Sequence, residues 1–335
     1  MLKGLMKLLT SLLVVALALG AGAFWWVQQP LHTQQTPLDL SIEPGTSPKA
    51  IAQAVADAGA NTSPELLYAW FRLSGQSRLM RAGSYEIAPG TTPVRLLSML
   101  VRGEESLRTV TIVEGWNWRQ VRQALAKAEN LKPDSRTLTD AELMTQLGRP
   151  GAAPEGRFYP DTYSYAKGAS DLAVLQRAAK AMDKRLQQAW EARQPGVAVK
   201  SPEEALILAS IVEKETGKGS DRPMIAGVFN NRLRIGMRLQ TDPTVIYGLG
   251  EAFDGNLRRV HLTSDTPWNT YTRAGLPPTP IAMPGKAALL AAVQPAKTQA
   301  LYFVAKGDGS SHFSANLDEH NRAVNRYQRG QKNTD

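Results

Sequence analysis

The sequence predicts an α+β protein in three parts. A short cytoplasmic tail and a single transmembrane helix occupy residues 1–30, a small α+β module 31–105, and a larger domain of mixed helices and strands 106–335. Three observations carry this reading. Residues 8–27, LLTSLLVVALALGAGAFWWV, contain no charge. A short phrase recurs, as IEPGTSP from Ile42 and as IAPGTTP from Ile87. Beyond residue 170, apolar residues return at helical spacing between Ser-Pro and Gly punctuation.

The uncharged run comes first. Its 20 residues, at about 1.5 Å each, span the roughly 30 Å hydrocarbon core of a bilayer. Lys3 and Lys7 precede it, and the next charged residue is Asp39. The basic flank belongs in the cytoplasm, which sends the bulk of the chain outside. Trp25 and Trp26 fall where interfacial aromatics sit. The AGA at 21–23 also fits a signal-peptide cleavage site. The apolar run continues through Val27, however, and favours an uncleaved anchor. Both readings export the remainder. Residues 28–37, rich in Gln, Thr and Pro, read as a linker.

Each copy of the repeat reads as a strand end, a Pro-Gly turn and a helix. Ser47-Pro48 and Thr92-Pro93 supply an N-cap followed by Pro at the first helical position. Gly59 and Gly103 stand where those helices should stop. SPELLYAWFRLSG, 63–75, opens in the same way, and IVEGWNWRQVRQAL from Ile112 is a weaker third copy. His, Asp and Glu are not concentrated in this module, so binding or spacing suits it better than chemistry.

In the larger domain, 137–154 is polar and turn-rich, and PEGRFYPDTYSY, 154–165, gathers four aromatics around a Pro-Asp turn. An amphipathic helix is expected over 171–193. A second runs from the Ser201-Pro202 cap to about 216, and a third over 221–233, stopped by Gly236. Frequent Pro and Gly up to Gly285 predict long ordered loops. A short helix at 286–293 and the strand ALYFVAK lead into a polar tail.

Composition narrows the chemistry. The 335 residues include no Cys, which excludes disulfides, Cys-based zinc sites and a Cys nucleophile. The net charge of +9 on an exported chain points to an anionic wall polymer or a membrane surface rather than nucleic acid. A merely basic surface fits equally well. His32, His261, His312 and His320 are scattered, so structural roles are expected for them, with no metal and no cofactor. There is no P-loop, G-x-G-x-x-G, H-E-x-x-H or G-x-S-x-G. LQTDPTVIYG, 239–248, and TPWNTYTRAGLPP, 266–278, mix amides, hydroxyls and rings. That mixture suits sugars, and it suits turns as well.

LASIVEKETG, 208–217, carries two carboxylates in a run that otherwise reads as a buried helix. At about 100° per residue, Glu215 falls among Ile207, Leu208, Ile211 and Val212, while Glu213 points about 160° away, nearer Ala209 and Ser210. The two cannot act as a joint pair. A carboxyl on an apolar face is driven toward its neutral form, as a general acid requires. Glu215 is therefore the candidate. A buried Glu paired with Arg222, Arg232, Arg234 or Arg238 is the structural alternative. If the small-residue side faces a cleft, Glu213 takes the role instead.

ASIVEKET, VFNNRLRIGMRLQTDPTVIYG, NTYTRAGLPP, EGRFYPDTY and YFVAKGDGSSHFSANLDEHN together resemble the endolytic murein transglycosylase family. With the anchor and the repeat, the resemblance covers nearly the whole chain. It implies a single-pass inner-membrane protein with its N-terminus in the cytoplasm, a LysM-like module, and a periplasmic catalytic domain. That domain would cut peptidoglycan strands between N-acetylmuramic acid and N-acetylglucosamine, leaving 1,6-anhydro ends and terminating or trimming nascent strands. The family's catalytic glutamate, the second Glu of E-K-E, falls on Glu215. Asn231, Gln240, Asp242, Asn269 and Tyr271 match polar positions of the family's cleft motifs and become candidate substrate-binding residues. One glutamate would serve as acid and then as base, without metal or cofactor. Penicillin-binding proteins or other wall-synthesis enzymes are the implied partners. The chain departs from the family pattern at Trp268, where Tyr is usual, at Thr279, where Gly is common, and at Met283.

Overall fold

The structure, a computed structural model, describes residues 2–33 and 38–330. Linker residues 34–37 lie outside them. The first element, α1 (Leu2–Val27), contains a stretch, Leu9–Val27, long and apolar enough to cross a membrane. Only 6% of that stretch is buried, whereas a core helix of a soluble unit would be mostly covered. Leu12, Leu13, Leu17 and Leu19 all face outward, bare of protein partners.

The chain divides into two compact units. One comprises Met1–Arg108 and Ser164–Gly168, the other Thr109–Tyr163 and Ala169–Asp335. The first contains, after α1, β1 (His32–Thr33), β2 (Leu38–Ile42), α2 (Pro48–Asp57), β3 (Ala60–Asn61), α3 (Pro64–Leu73), β4 (Gly83–Ile87) and α4 (Pro93–Arg102). Leu38, Leu40 and Ile42 alternate inward along β2, the two-residue period of a half-buried strand. β2 runs antiparallel to β4, with Leu38 opposite Ile87. β1 pairs with β3.

Both repeat copies form the expected strand, turn and helix. Ser47 Oγ accepts from the Ala50 N–H, and Thr92 Oγ1 from the Arg95 N–H, each at 3.2 Å. Pro fills the first turn of α2, α3 and α4. Gly103 closes α4 in the left-handed region at φ 68°, a conformation that glycine adopts without penalty. Ile51, Val55, Leu67, Phe71, Leu96 and Leu100 pack this unit's core against the sheet.

The third copy is also real. β5 (Leu107–Thr111) pairs with β6 (Thr162–Ala166), and α5 (Trp118–Lys127) follows the turn. A capping box between Asn117 and Gln120 opens α5. After α6 (Asp140–Gln146) and α7 (Asp171–Glu191), the second unit is built on α8 (Pro202–Glu215), α9 (Arg222–Arg234) and α12 (Lys286–Val293). Every residue from Ala205 to Glu213 is buried. The one-sided wheel read from the sequence is therefore too narrow: α8 is enclosed by α7, α9 and α12 on all sides.

The structure corrects two sequence expectations. The stretch expected as loops contains α10 (Asp242–Leu249) and α11 (Arg259–Thr263). α10 begins at Asp-Pro, with Pro in its first turn but no side-chain cap hydrogen bond at Thr241. The tail folds as a hairpin, β7 (Tyr302–Ala305) with β8 (Ser311–Ser314), and α13 (Leu317–Val324). Gly307 and Gly309, at φ 91° and 82°, turn the chain between those strands.

Candidate active site

The two glutamates part company at the end of α8. Glu213 is 9% exposed and fully engaged. Arg222 Nη2 donates to its Oε1 at 2.8 Å, and the Gly285 N–H to its Oε2 at 2.9 Å. The side suspected of facing a cleft is closed, because Ser210 Oγ accepts from the Ile281 N–H at 3.0 Å. The ion-paired alternative thus describes Glu213 rather than Glu215. That carboxylate ties α8 to α9 and to the start of α12.

Glu215 ends the helix and lines a cavity of about 410 Å³. Its one hydrogen-bond donor among the described residues is the Thr241 hydroxyl. Burial pushes its carboxyl up to about 7. Thr241 and the charge of Arg232 oppose that rise, and Asp242 reinforces it. A helix C-terminus also disfavours a negative charge. Glu215 is poised to hold a proton near neutral pH and to release it.

Three of the candidate substrate-binding residues join it. Gln240, Asp242 and Tyr271 line the same cavity. Tyr271 donates its hydroxyl to Asp242 Oδ1 at 2.5 Å, and burial with that carboxylate raises the phenol's pKa. Gln240 has φ 48°, a strained backbone for a residue with a side chain. Thr270 holds the strained turn. Its carbonyl accepts from the Gln240 N–H and its hydroxyl from the Thr241 N–H, both at 3.1 Å. The turn sets Thr241 onto Glu215.

The other two candidates do not line the cavity. Asn231 Nδ2 donates to the carbonyls of Thr298 and Ala300, at 2.9 and 3.0 Å. Asn269 is fully buried and donates to the carbonyls of His261, Leu262 and Ser264. Both amides fasten backbone.

Sequence reasoning missed Thr241, Tyr302 and His320, which also line the cavity, as does Arg232, named from the sequence only as a possible partner of the buried glutamate. Arg232 is buried. It donates to the Leu301 carbonyl at 2.7 Å and to the Leu239 carbonyl at 2.6 Å, and it lies 5.4 Å from the Tyr302 ring. One guanidinium thereby joins β7 to the turn that carries Gln240. The Tyr302 ring stacks on His320 at 5.2 Å. Burial, with Arg232 and His312, lowers the His320 pKa.

A second buried carboxyl was also missed. Glu155 is 5% exposed, and both its oxygens accept from the Trp118 N–H, at 3.1 and 3.0 Å. Burial pushes it up to about 7 as well, and the Tyr247 hydroxyl bonds it. Glu155 lines a separate cavity of about 650 Å³, but both its oxygens are committed to protein donors, whereas Glu215 has one donor among the described residues. Two departures from the family pattern meet beside it: Trp268 Nε1 donates to Thr279 Oγ1 at 2.9 Å.

The sequence matches the YceG-like family over residues 40–326. The chain belongs to the YceG-like family. Similar proteins include the endolytic murein transglycosylase of Bacillus subtilis, 30% identical over 310 residues, covering 88% of this chain and 85% of that protein. The endolytic murein transglycosylase of Streptococcus pneumoniae is 27% identical across 94% of this chain, which spans 64% of that longer protein. The crystal structure of a YceG-like protein from Listeria monocytogenes is 28% identical with a TM-score of 0.56, covering 86% of this chain and 99% of that one. The family expected from the motifs is thus the one found, and the YceG-like match takes in every residue of the Glu215 cavity.

Proposed function

We propose that the chain is an endolytic transglycosylase that cuts peptidoglycan strands at the muramic acid to glucosamine bond, with Glu215 as its single acid and base. The observation that carries this is the state of Glu215: a carboxyl raised to about 7 that opens on a cavity lined by amide, hydroxyl and aromatic groups. The relatives named endolytic murein transglycosylases support the same reading.

In the first half of the reaction Glu215 gives its proton to the glycosidic oxygen as the muramic C1–O bond breaks. Positive charge then develops at C1. In the second half the Glu215 carboxylate takes the proton of the same sugar's C6 hydroxyl, whose oxygen closes on C1 and forms the 1,6-anhydro ring. The proton lent to the leaving sugar is thereby regained, and no water is consumed. The nucleophile belongs to the substrate, so proximity replaces a second protein carboxylate. Thr241 orients the Glu215 carboxyl, and Arg232 favours its ionised form for the second half.

In the same reading α1 anchors the chain in the inner membrane with its N-terminus in the cytoplasm. The β2–β4 sheet with its helices is the LysM-like module. Penicillin-binding proteins or other wall-synthesis enzymes are its neighbours during termination or trimming of strands.

One observation favours a second reading. Asp242 lines the cavity with Glu215, so a hydrolase with Asp242 as the base for a water is the competitor. Cleavage in heavy-oxygen water separates the two. Ring closure leaves no label at the new end, and hydrolysis places one labelled oxygen on C1.

A further inference from the structure

A second and larger cavity, about 650 Å³, lies between the start of α5 and the side of α10. The proposed reaction does not use it. We propose that it binds sugar rings of the strand that Glu215 cuts, at positions away from the broken bond. This rests on the glycan-cleaving reading above.

Continuity is the first argument. Lys214 lines this cavity and Glu215 the other; Pro243 lines this one and Asp242 the other. Neighbouring residues on the last turn of α8 and the first turn of α10 therefore face the two cavities. A polymer lying across those turns enters both. The volume falls within the roughly 300–1,000 Å³ usual for ligand sites.

The lining chemistry is the second. Tyr247, Phe253 and Trp268 are partly exposed and offer ring faces, which pack against the apolar C–H faces of pyranose rings. Asn117 and Gln120 have committed their side-chain oxygens to the capping box of α5. What remains to each is an amide N–H₂, a donor for hydroxyl or acetamido oxygens. At the rim, Arg119 pairs with Glu251 at 3.2 Å, and Lys214 Nζ, which donates to the Gly115 carbonyl at 3.2 Å, keeps further N–H donors for sugar oxygens.

Rigidity is the third. Glu155 binds the Trp118 N–H and the Tyr247 hydroxyl. The Trp118 ring stacks on Phe158 at 4.9 Å, and Tyr247 meets Trp268 edge-on at 5.5 Å. Thr279 fixes the Trp268 indole from behind. Rings held by hydrogen bonds at their far ends lose little freedom when a ligand arrives.

The test uses the full-length chain in detergent and peptide-free glycan strands. In Phe253→Ala, at the rim, KM should rise about tenfold with kcat retained, as for loss of uniform binding. Trp268→Phe keeps a ring but loses the Thr279 bond, and should give a smaller rise. A binding arm is independent of cleavage. An N-acetylglucosamine tetramer should quench the tryptophan fluorescence of the Glu215→Gln protein, and adding Phe253→Ala should weaken that binding about tenfold. Unchanged KM and unchanged tetramer binding would overturn the proposal. So would a loss in kcat alone, or an effect confined to strands that carry peptides. If the wild type cleaves nothing while the tetramer still binds, the reaction reading falls and the sugar site stands.

Discussion

At residue scale the account turns on the different situations of Glu213 and Glu215, two positions apart. The proton of Glu215 is held more tightly in the folded chain than in the unfolded one, because its pKa rises from 4.5 to about 7. The sign follows directly. The group's folded state is penalised as pH climbs from about 4.5 through about 7, and below that window the penalty is absent. Glu215→Gln should therefore raise stability by roughly 1–3 kcal/mol at about pH 8 and leave it unchanged at about pH 4. Denaturant melts at the two pH values check this. Glu213→Gln should act oppositely. It leaves the half-buried Arg222 without a charged partner and should cost about 3 kcal/mol near neutral pH, while cleavage, measured on the folded fraction, persists. In activity, the basic limb of the pH profile should follow the Glu215 proton. Thr241→Val removes a contact that lowers the Glu215 pKa and should move that limb to higher pH; Asp242→Asn should move it lower. A limb that stays put in both variants would detach the profile from Glu215. The sequence singled out Glu215 by its place among apolar neighbours, although α8 is buried on all its faces from Ala205 to Glu213. Asn231 and Asn269 donate to backbone carbonyls, which the sequence did not show, since an amide reads the same whether its partner is a sugar or a carbonyl. Tyr302 and His320 were invisible because β7 and α13 reach the cavity only through the fold, and Arg232 was named only as one of four possible ion-pair partners.

At the scale of elements, capping chemistry explains what was readable. Ser47, Ser63 and Thr92 each announced a helix by an N-cap followed by Pro, and each helix is there. α10 lay hidden because its Thr241-Asp242-Pro243 start, with Pro in the first turn, sits in a stretch otherwise rich in turn residues and read there as turn chemistry. In α8, the sequence left open whether the small-residue side, Ala209 and Ser210, faces a cleft. In fact Ser210 is small because the 280–285 segment packs on it and borrows its hydroxyl. Close approach matters again at Gly227 in α9. A Cβ there would lie 2.7 Å from the Ala296 carbonyl oxygen and 2.8 Å from Thr298 Cγ2. Alanine is the better helix former by about 1 kcal/mol, yet overpacking against a backbone carbonyl costs more. Gly227→Ala should therefore destabilise the unit by about 1–2 kcal/mol net. Because the 296–300 segment also receives Asn231, the change should lower cleavage as well. A thermal melt matching the wild type would refute that packing argument.

At the scale of the molecule, the tripartite sequence reading placed its boundaries at residues 30 and 105. The apolar run is legible by length and charge alone, but its inner end is not. Val27 is 4% exposed and Trp26 packs on the first unit's core, so the last turn of α1 belongs to the folded module. Deleting residues through 24 should release a chain that stays in solution without detergent and melts like the full-length protein. Deleting through 28 removes Trp26 and Val27 and should lower the melting temperature by several degrees. Equal melts would place both residues outside the core. The central claim is that one carboxyl, Glu215, makes anhydro ends by lending and recovering a proton. Mass spectrometry of glycan digested by the wild type, beside Glu215→Gln and Glu213→Gln, tests it most directly. The account predicts 1,6-anhydro-muramyl ends from the wild type and from folded Glu213→Gln, and none from Glu215→Gln. Reducing ends one water heavier, or anhydro ends that survive in Glu215→Gln, would contradict it.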